Sequence, residues 1–350
     1  MRRLVIQAVL MAIAVAGCGE PMKPTPPTGS CCTPYGSCTV TAAAQCIDGA
    51  WTVGFMCVPN TCAKPTGACC RLGGSCTVIL AADCAGPWSM FGVCDPNPCP
   101  LSPIDMVSIP AGTFTMGSPV SEPGRDSGEA QHQVTLTKAI FVSVHEVTQS
   151  EWRRVMGKSQ PGFTGDNRPM EMVDWNGCIV YCNKRSAMEG PDSVYARSGS
   201  TWSWDQSKTG YRLLTESEWE YACRATSTTA FCNGGITNIN CSPLDPNLDR
   251  VGWYCGNAWS GTPDVGSKDA NTWGLHDMHG SVFEWCWDWY ADYPGHPVTD
   301  PTGPALGTSR VIRGGSWYWD AWYCRSAFRS GASPGYLSPG LGFRLARTAP

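Results

Sequence analysis

The chain has 350 residues, a formal net charge of −4 and only 15% charged residues, which leaves room for one large domain with accessory segments. Proteins that bind nucleic acid through its phosphates carry a basic patch, and this composition provides none. We therefore expect no nucleic-acid partner.

The N-terminus carries the marks of an export signal. Met1-Arg2-Arg3 precedes the apolar run 4–16, which is too short to span a membrane as a mature helix. The run ends Val-Ala-Gly-Cys at Cys18, which is similar to a bacterial lipoprotein processing box. We predict a lipoprotein signal peptide over 1–17, lipidation of Cys18 as a membrane anchor, and a Pro-rich linker over 18–30. Ordinary cleavage, with Cys18 lost or left free, is the alternative.

The cysteine count favours the same compartment. The chain has 21 cysteines; apart from Cys18, 12 lie within 31–99 and 8 within 178–324. Both groups are even, as disulfide pairing in an oxidising compartment requires. We therefore expect an extracytoplasmic, lipid-anchored protein of the cell envelope, at the outer membrane or the cell surface.

Two small repeats precede the main domain. The six cysteines of 31–62 recur in 69–99 at offsets of 37 or 38 residues, which indicates an internal duplication. Each unit is too small for a self-sufficient core, so we predict three disulfides per unit, with the connectivity left open among fifteen. Zinc is the competitor, but the repeats contain no His. A rigid stalk and a module that contacts protein or glycan both remain open.

Local patterns predict short elements beyond the linker. Alternation over 106–118 suggests a pair of strands. A Thr-x-x-Glu capping box opens a short helix at Thr148 and another at Thr215. A third helix is predicted over 174–188, with Trp175, Ile179 and Cys182 on one side. The 16 tryptophans are expected to fill a core that has little regular structure.

The C-terminal stretch 310–347 organises the chain. Its Gly-Gly-Ser-Trp motif at 314–317 lets the backbone pass where a Cβ would clash, and a cluster of rings follows. Arg325, Arg329 and Arg344 interleave with those rings, as a buried stacked and bidentate network requires.

This stretch resembles the C-terminal signature of formylglycine-generating enzymes, also called sulfatase-modifying factors. Segments 106–118, 212–226 and 273–290 are similar to the family as well, so the resemblance covers about 105–347. It implies an α+β, C-type-lectin-like fold that is rich in irregular structure.

The resemblance also implies a calcium ion. The segment GLHDMHGSVFEW is similar to a family stretch that wraps calcium with oxygen ligands. Carried over, the ligands are Asp277, the carbonyls of Gly280 and Val282, and Glu284. The alternative is that Asp277 and Glu284 are hydrogen-bonded turn residues.

The family's chemistry is less well matched. Its active members bind copper(I) with two cysteine thiolates, activate oxygen and convert a sulfatase cysteine to an aldehyde. The first of those positions is Trp319 here, and the second falls on Cys324. Cys324 is then either a surviving catalytic cysteine or, as we favour, the partner of Cys223 in a bridge that the resemblance implies. We further predict Cys232–Cys241 and Cys255–Cys286 bridges. Cys178 and Cys182 then remain, one helical turn apart, as a strained pair.

Three functions remain open at this stage. The first is a formylglycine-generating oxidase that acts on exported sulfatases. The second is a non-catalytic binding or assembly module, which we favour. The third is a lectin-like protein that binds a protein or glycan ligand through a diversified C-terminal loop, with 318–323, 328 and 330–340 as its variable positions. Trp319 and Trp322 argue against the third, because mutating the adenines of the usual Asn codon cannot produce tryptophan.

Overall fold

A computed structural model describes residues 104–349, together with the backbone of six strands between residues 28 and 90. The strands are β1 Thr28–Cys32, β2 Cys38–Ala42, β3 Ala50–Val53, β4 Thr66–Cys70, β5 Cys76–Leu80, β6 Trp88–Met90, β7 Met106–Ile109, β8 Gly112–Met116, β9 His132–Leu136, β10 Ile140–Ser143, β11 Tyr195–Ser198, β12 Thr201–Trp204, β13 Gly252–Trp253, β14 His279–Gly280, β15 Phe283–Trp289, β16 Val298–Thr299, β17 Arg310–Arg313, β18 Arg329–Ala332, β19 Leu341–Gly342 and β20 Ala346–Thr348. The helices are α1 Gln149–Met156, α2 Trp175–Glu189, α3 Glu216–Arg224 and α4 Leu248–Val251, with a 3-10 helix at Ala321–Cys324. The predicted mixture of strands with few helices is confirmed.

Both predicted capping boxes are confirmed. The Glu151 N–H donates to Oγ1 of Thr148 at 3.2 Å, and the Glu151 carboxylate accepts the Thr148 N–H at 2.8 Å. The same exchange links Thr215 and Glu218 at 3.2 and 2.9 Å. Each pair satisfies amide donors that have no partner inside the helix, so α1 and α3 begin where the sequence indicates.

The third predicted helix is α2. The carboxylate of Asp174 caps it by accepting the Gly177 N–H at 2.7 Å. Trp175, Ile179 and Cys182 are at most 1% exposed, so the predicted side of the helix is buried. No helix in the described part of the chain has both the length and the apolar character to cross a membrane.

Five small sheets build the region 104–349. The largest has the order β18-β17-β15-β19, and two three-stranded sheets have the orders β20-β10-β7 and β16-β9-β8. The two-stranded sheets are β11-β12 and the parallel pair β13-β14. Both predicted strands of 106–118 form, but they do not pair with each other: β7 pairs with β10 and β8 with β9.

Large aromatic side chains supply much of the core. Trp175, Trp219 and Trp285 are at most 1% exposed. Each indole N–H finds an acceptor, as buried indoles require; that of Trp175 donates to the Cys286 carbonyl at 2.9 Å. These rings replace the burial that longer regular elements would otherwise give.

Two further sheets lie in the N-terminal part. β1, β2 and β3 form one in the order β2-β1-β3, and β4, β5 and β6 form another in the order β5-β4-β6. The predicted signal peptide, Cys18 and most of the linker 18–30 lie outside the described residues. So do the cysteine side chains of 31–62 and 69–99, and their pairing stays a prediction.

Candidate functional site

The C-terminal segment turns sharply after β17. Gly314 and Gly315 have φ of 100° and 79°, in the left-handed region that glycine adopts without steric cost. A Cβ at Gly315 would stand 2.6 Å from Sγ of Cys324, so the predicted close approach is confirmed. The turn brings Tyr318 and Trp319 to the surface, while Cys324 stays beneath it.

Buried arginines hold this segment in place. Arg325 donates two hydrogen bonds of 2.7 Å to the Glu129 carboxylate. Arg329 donates two bonds of 2.7 Å to Glu216, and its guanidinium lies 3.9 Å from the centre of the Tyr293 ring. Bidentate pairs of this kind fix orientation as well as distance. The expected arginine network is therefore confirmed.

The third arginine of the network connects the segment to β15. Arg344 donates from Nε to both oxygens of Glu284, at 2.8 and 2.7 Å. The same carboxylate accepts the indole N–H of Trp219 at 2.7 Å. Arg344 also donates to the His276 carbonyl at 2.9 Å. Glu284 is thereby compensated in charge and in hydrogen bonds.

The predicted calcium ligands differ in what they offer a cation. Asp277 accepts the Gly266 N–H at 2.6 Å through Oδ2, and its buried Oδ1 has no hydrogen-bond partner among the described residues. The Glu284 carboxylate already accepts hydrogen bonds from Arg344 and Trp219. Gly280, the last residue of β14, and Val282, just before β15, are both buried, and their carbonyls belong to the backbone between the two acids. Asp277 thus fits a cation and Glu284 does not, so calcium stays a prediction.

A second buried acid, Glu146, was not predicted from the sequence. Glu146 is 0% exposed, and neither of its carboxylate oxygens has a hydrogen-bond partner among the described residues. Burial raises the pKa of Glu146 well above its ordinary value, and the charge of Asp277 raises it further. Burial also raises the pKa of Asp277. No local sequence pattern predicts the burial of Glu146, because the residues around it come from segments distant in sequence.

Beside this turn, aromatic rings enclose what we call the aromatic pocket, a cavity of about 310 Å³ bounded by Tyr318, Trp319, Tyr323, Phe328 and Tyr336. Tyr318, Trp319 and Tyr336 are 39%, 37% and 50% exposed, which is high for such large rings. The Trp319 ring lies 4.5 Å from that of Tyr323 and 5.8 Å from that of Tyr318. The hydroxyls of Ser330, Ser333 and Ser338 complete the lining.

Few polar contacts fix the rim of this pocket. The Tyr318 hydroxyl bonds to the Ser338 hydroxyl at 3.0 Å. The Trp319 carbonyl accepts the Cys255 N–H at 3.1 Å. Burial raises the pKa of Tyr323, with a smaller contribution from the charge of Asp320. The rim therefore offers apolar faces and neutral hydroxyls, which suit binding rather than acid–base chemistry.

The position of Cys324 does not fit a two-thiolate copper site. Cys324 is 0% exposed, and burial raises the pKa of its thiol well above the ordinary value. The other nearby thiol is Cys223, whose pKa burial raises to about 12. Copper(I) needs two converging thiolates, whereas burial disfavours the thiolate form of both cysteines and Trp319 brings no sulfur. A group of three closely spaced ligand atoms does form among the described residues, but it combines Asp320 with two disulfide-bonded sulfurs, so it cannot hold a metal.

The disulfide predictions need correction. Within 104–349 the structure forms one disulfide, between Cys241 and Cys255. The predicted Cys232–Cys241 and Cys255–Cys286 bridges are wrong, because Cys241 and Cys255 meet beside Asp320, whose carboxylate accepts the Cys241 N–H at 3.1 Å. Cys286 is a buried, unbonded thiol of β15.

The Cys223–Cys324 bridge is not formed either. Sγ of Cys223 lies 3.6 Å from the Ser326 hydroxyl and 3.7 Å from Nε2 of His279. Cys178 and Cys182 are also unbonded and buried on α2. The six thiols that the structure leaves unbonded in the described region are Cys178, Cys182, Cys223, Cys232, Cys286 and Cys324.

Comparison with known proteins identifies relatives of residues 91–349. This range matches the family model described as the sulfatase-modifying factor enzyme 1-like domain. The chaperone protein LppX of Paenibacillus barcinonensis is 30% identical over 277 residues, which cover 70% of this chain and 89% of that protein. The formylglycine-generating enzyme of Streptomyces coelicolor is 34% identical over 223 residues, or 58% of this chain and 60% of the enzyme.

A solved structure is similar as well. Treponema denticola variable protein 1 superimposes with a TM-score of 0.64 and 33% identity, over 71% of this chain and 96% of that one.

Proposed function

The chain belongs to the sulfatase-modifying factor enzyme 1-like family, and on that premise we propose that it binds a ligand at the aromatic pocket instead of oxidising a cysteine. In this proposal the protein is an exported lipoprotein whose family domain works as a binding or assembly module of the cell envelope. The aromatic pocket stands where the resemblance implies the first copper thiolate. That replacement is the observation on which the proposal rests.

The character of the pocket favours a protein ligand. Tyrosine and tryptophan dominate the residues that contribute most energy to protein–protein interfaces. Here Tyr318, Trp319 and Tyr336 expose between 37% and 50% of their surface around one cavity. Leu337, which follows Tyr336 in the chain, is 49% exposed as well. The name of the Paenibacillus relative, a chaperone protein, is consistent with this choice. A glycan is the other outcome to test.

The binding test compares two tryptophan variants. We would pan a random peptide library on the wild-type protein, on Trp319→Ala, and on Trp259→Ala. Trp259 is 92% exposed and lies outside the pocket, so it controls for the loss of a surface indole. Peptides that bind the wild type and Trp259→Ala, but not Trp319→Ala, are expected. Binding confined to a parallel glycan array would replace the protein ligand by a glycan.

The oxidase alternative has its own assay. The purified protein is incubated with copper, oxygen, reductant and a sulfatase-type Cys-x-Pro-x-Arg peptide, and the product is weighed by mass spectrometry. We expect no aldehyde, since Cys324 is buried, burial disfavours its thiolate, and Trp319 stands where the other thiolate would be. Turnover that disappears in a folded Cys324→Ser variant would establish the oxidase and overturn the binding proposal.

The envelope location rests on Cys18. A Cys18→Ala protein is expected to leave the detergent-extracted membrane fraction and become soluble, because the acyl chains supply the anchor. Retention of that variant in the membrane would remove the lipoprotein from the proposal and leave the pocket unaffected.

A further inference from the structure

A second cleft opens around Arg310, the first residue of β17. It measures about 500 Å³ and shares no lining residue with the aromatic pocket. We call it the tryptophan cleft, because its walls carry the indoles of Trp175, Trp202, Trp287 and Trp289. Neither the cysteine chemistry of the family nor the aromatic pocket accounts for it.

Polar residues line this cleft together with the rings. The hairpin β11–β12 contributes Ser200 and Thr201, and the loop that follows β16 contributes Thr302. Asn176 lies beside them, and its amide oxygen accepts the indole N–H of Trp202 at 3.1 Å. The cleft therefore offers flat apolar faces and neutral hydroxyls within reach of one ligand.

The cleft also contains a buried cation, Arg310, that forms no ion pair in the described region. Arg310 is 4% exposed, and its guanidinium lies 3.7 Å from the ring centre of Trp175 and 3.5 Å from that of Trp289. It donates from Nη1 to the Trp287 carbonyl, while its buried Nε has no hydrogen-bond partner among the described residues. A guanidinium has five donors in a fork that matches a carboxylate or sulfate.

Other buried arginines of the domain show what Arg310 lacks. Arg313, Arg325, Arg329 and Arg344 each form an ion pair with a buried glutamate. Within the described region Arg310 forms no ion pair. Asp288 is the acid whose charge acts on it, and that carboxylate accepts the Glu216 N–H at 2.9 Å instead. Burial lowers the pKa of Arg310 to about 10, as expected of a guanidinium without a contacting anion.

A buried charge without a partner is costly, and an anionic ligand would offset that cost. We propose that the tryptophan cleft binds an acidic sugar residue, with its carboxylate or sulfate on Arg310 and its C–H face on an indole. The hydroxyls of Ser200, Thr201 and Thr302 suit a ligand that carries several hydroxyls of its own. An anion without hydroxyls would leave them without new partners.

The test uses the full chain and simple sugars. D-glucuronate, glucose 6-sulfate, methyl glucoside and benzoate are titrated separately, with intrinsic tryptophan fluorescence and calorimetry as readouts. We expect both acidic sugars to quench the fluorescence and to bind at least about tenfold more tightly than methyl glucoside or benzoate. The first two probes separate a carboxylate from a sulfate as the anionic group.

Variants assign the binding to this cleft. Arg310→Gln is expected to weaken glucuronate binding at least about tenfold while methyl glucoside binding stays the same. Arg310 packs between two indoles, so its replacement is itself a risk to the fold. Trp202→Ala therefore serves as a second variant, on the more open wall of the cleft, and circular dichroism verifies that both variants are folded. Trp259→Ala, on the exposed surface, and Trp319→Ala, in the aromatic pocket, are expected to bind glucuronate like the wild type.

Three results would overturn the proposal. The first is equal binding of methyl glucoside and glucuronate. The second is unchanged glucuronate affinity in a folded Arg310→Gln protein. The third is the absence of any heat or fluorescence change with both acidic sugars. None of these outcomes bears on the aromatic pocket, so the two sites can fail independently.

Discussion

Within 310–347, two regions of opposite character lie side by side. The arginine network of Arg325, Arg329 and Arg344 is at most 5% exposed, and each guanidinium is fixed by a carboxylate. The rim of the aromatic pocket has rings that are 37–50% exposed, and few hydrogen bonds hold it. The buried network sets the path of the backbone, so the rim is free to change its side chains. This separation explains how Trp319 can stand at a thiolate position while the fold persists.

The largest effect is expected when the buried network is broken. Arg325→Ala leaves the carboxylate of Glu129, itself 0% exposed, without its counter-ion. Removing one partner of a buried pair costs about 3–5 kcal/mol, which denaturant unfolding measures. Arg250→Ala is the matched control, since Arg250 pairs with Asp269 at the surface and should change stability by less than about 1 kcal/mol. Equal effects of the two variants would show that burial does not set the difference.

The network was predictable from sequence, and its partners were not. Arginines between aromatic residues indicate a buried stacked arrangement, and the Thr-x-x-Glu boxes fix where α1 and α3 begin, because both signals are local. Glu129 and Glu216 come from segments more than a hundred residues away from their arginines. Local spacing carries no information about such contacts.

The cysteines teach the same lesson. Even counts indicated pairing, but which sulfurs meet depends on how distant loops pack. Cys241 and Cys255 come together at Asp320, which lies far along the chain in the loop after β17. The cleft around Arg310 was missed for a related reason, since its tryptophans read individually as core residues.

The next largest effect concerns this disulfide, which supports the rim. Replacing both Cys241 and Cys255 by serine opens a loop with a sequence separation of 14 residues. The chain-entropy model assigns about 3 kcal/mol to a bridge of that size. Chemical unfolding measures the loss, and peptide mapping by mass spectrometry identifies the linkage. Cys232→Ser is the control. It is expected to change the free energy of unfolding by less than about 0.5 kcal/mol, because that thiol is unbonded. A mapped Cys232–Cys241 peptide would contradict the structure.

A smaller effect is expected from the acids that the network leaves without partners. The folded-state pKa values of Glu146 and Asp277 are raised by burial, so folding favours their protonated forms. Their contribution to stability is present below the ordinary carboxyl pKa values and is lost as pH rises through the raised ones. One such group changes the free energy of unfolding by at most about 1.4 kcal/mol per pH unit. Glu146→Gln should flatten the decline of Tm as the pH rises above the ordinary carboxyl range.

The predicted calcium site is tested by the same measurement of Tm. Calcium at the predicted site, with Asp277 as a ligand, would bind only the folded state, so saturating calcium should raise Tm at neutral pH and chelation should lower it. Magnesium serves as the control ion, because it requires smaller, near-octahedral coordination. A Tm that is insensitive to calcium and chelator would contradict the calcium prediction.

The smallest effect on stability is expected at the rim, together with a large effect on binding. Trp319→Ala removes a ring that is 37% exposed and whose ring neighbours, Tyr318 and Tyr323, also border the pocket. We expect a stability change within about 1 kcal/mol, whereas Trp219→Ala, which empties a fully buried site, should cost about 3–5 kcal/mol. A peptide selected on the wild-type protein should nevertheless bind Trp319→Ala more weakly by at least about 2 kcal/mol, as expected when an interface hot spot is removed. Thermal unfolding and calorimetry on the same samples separate the two quantities. Should Trp319→Ala destabilise the fold as much as Trp219→Ala, the rim would belong to the core and the division between the two regions would not hold.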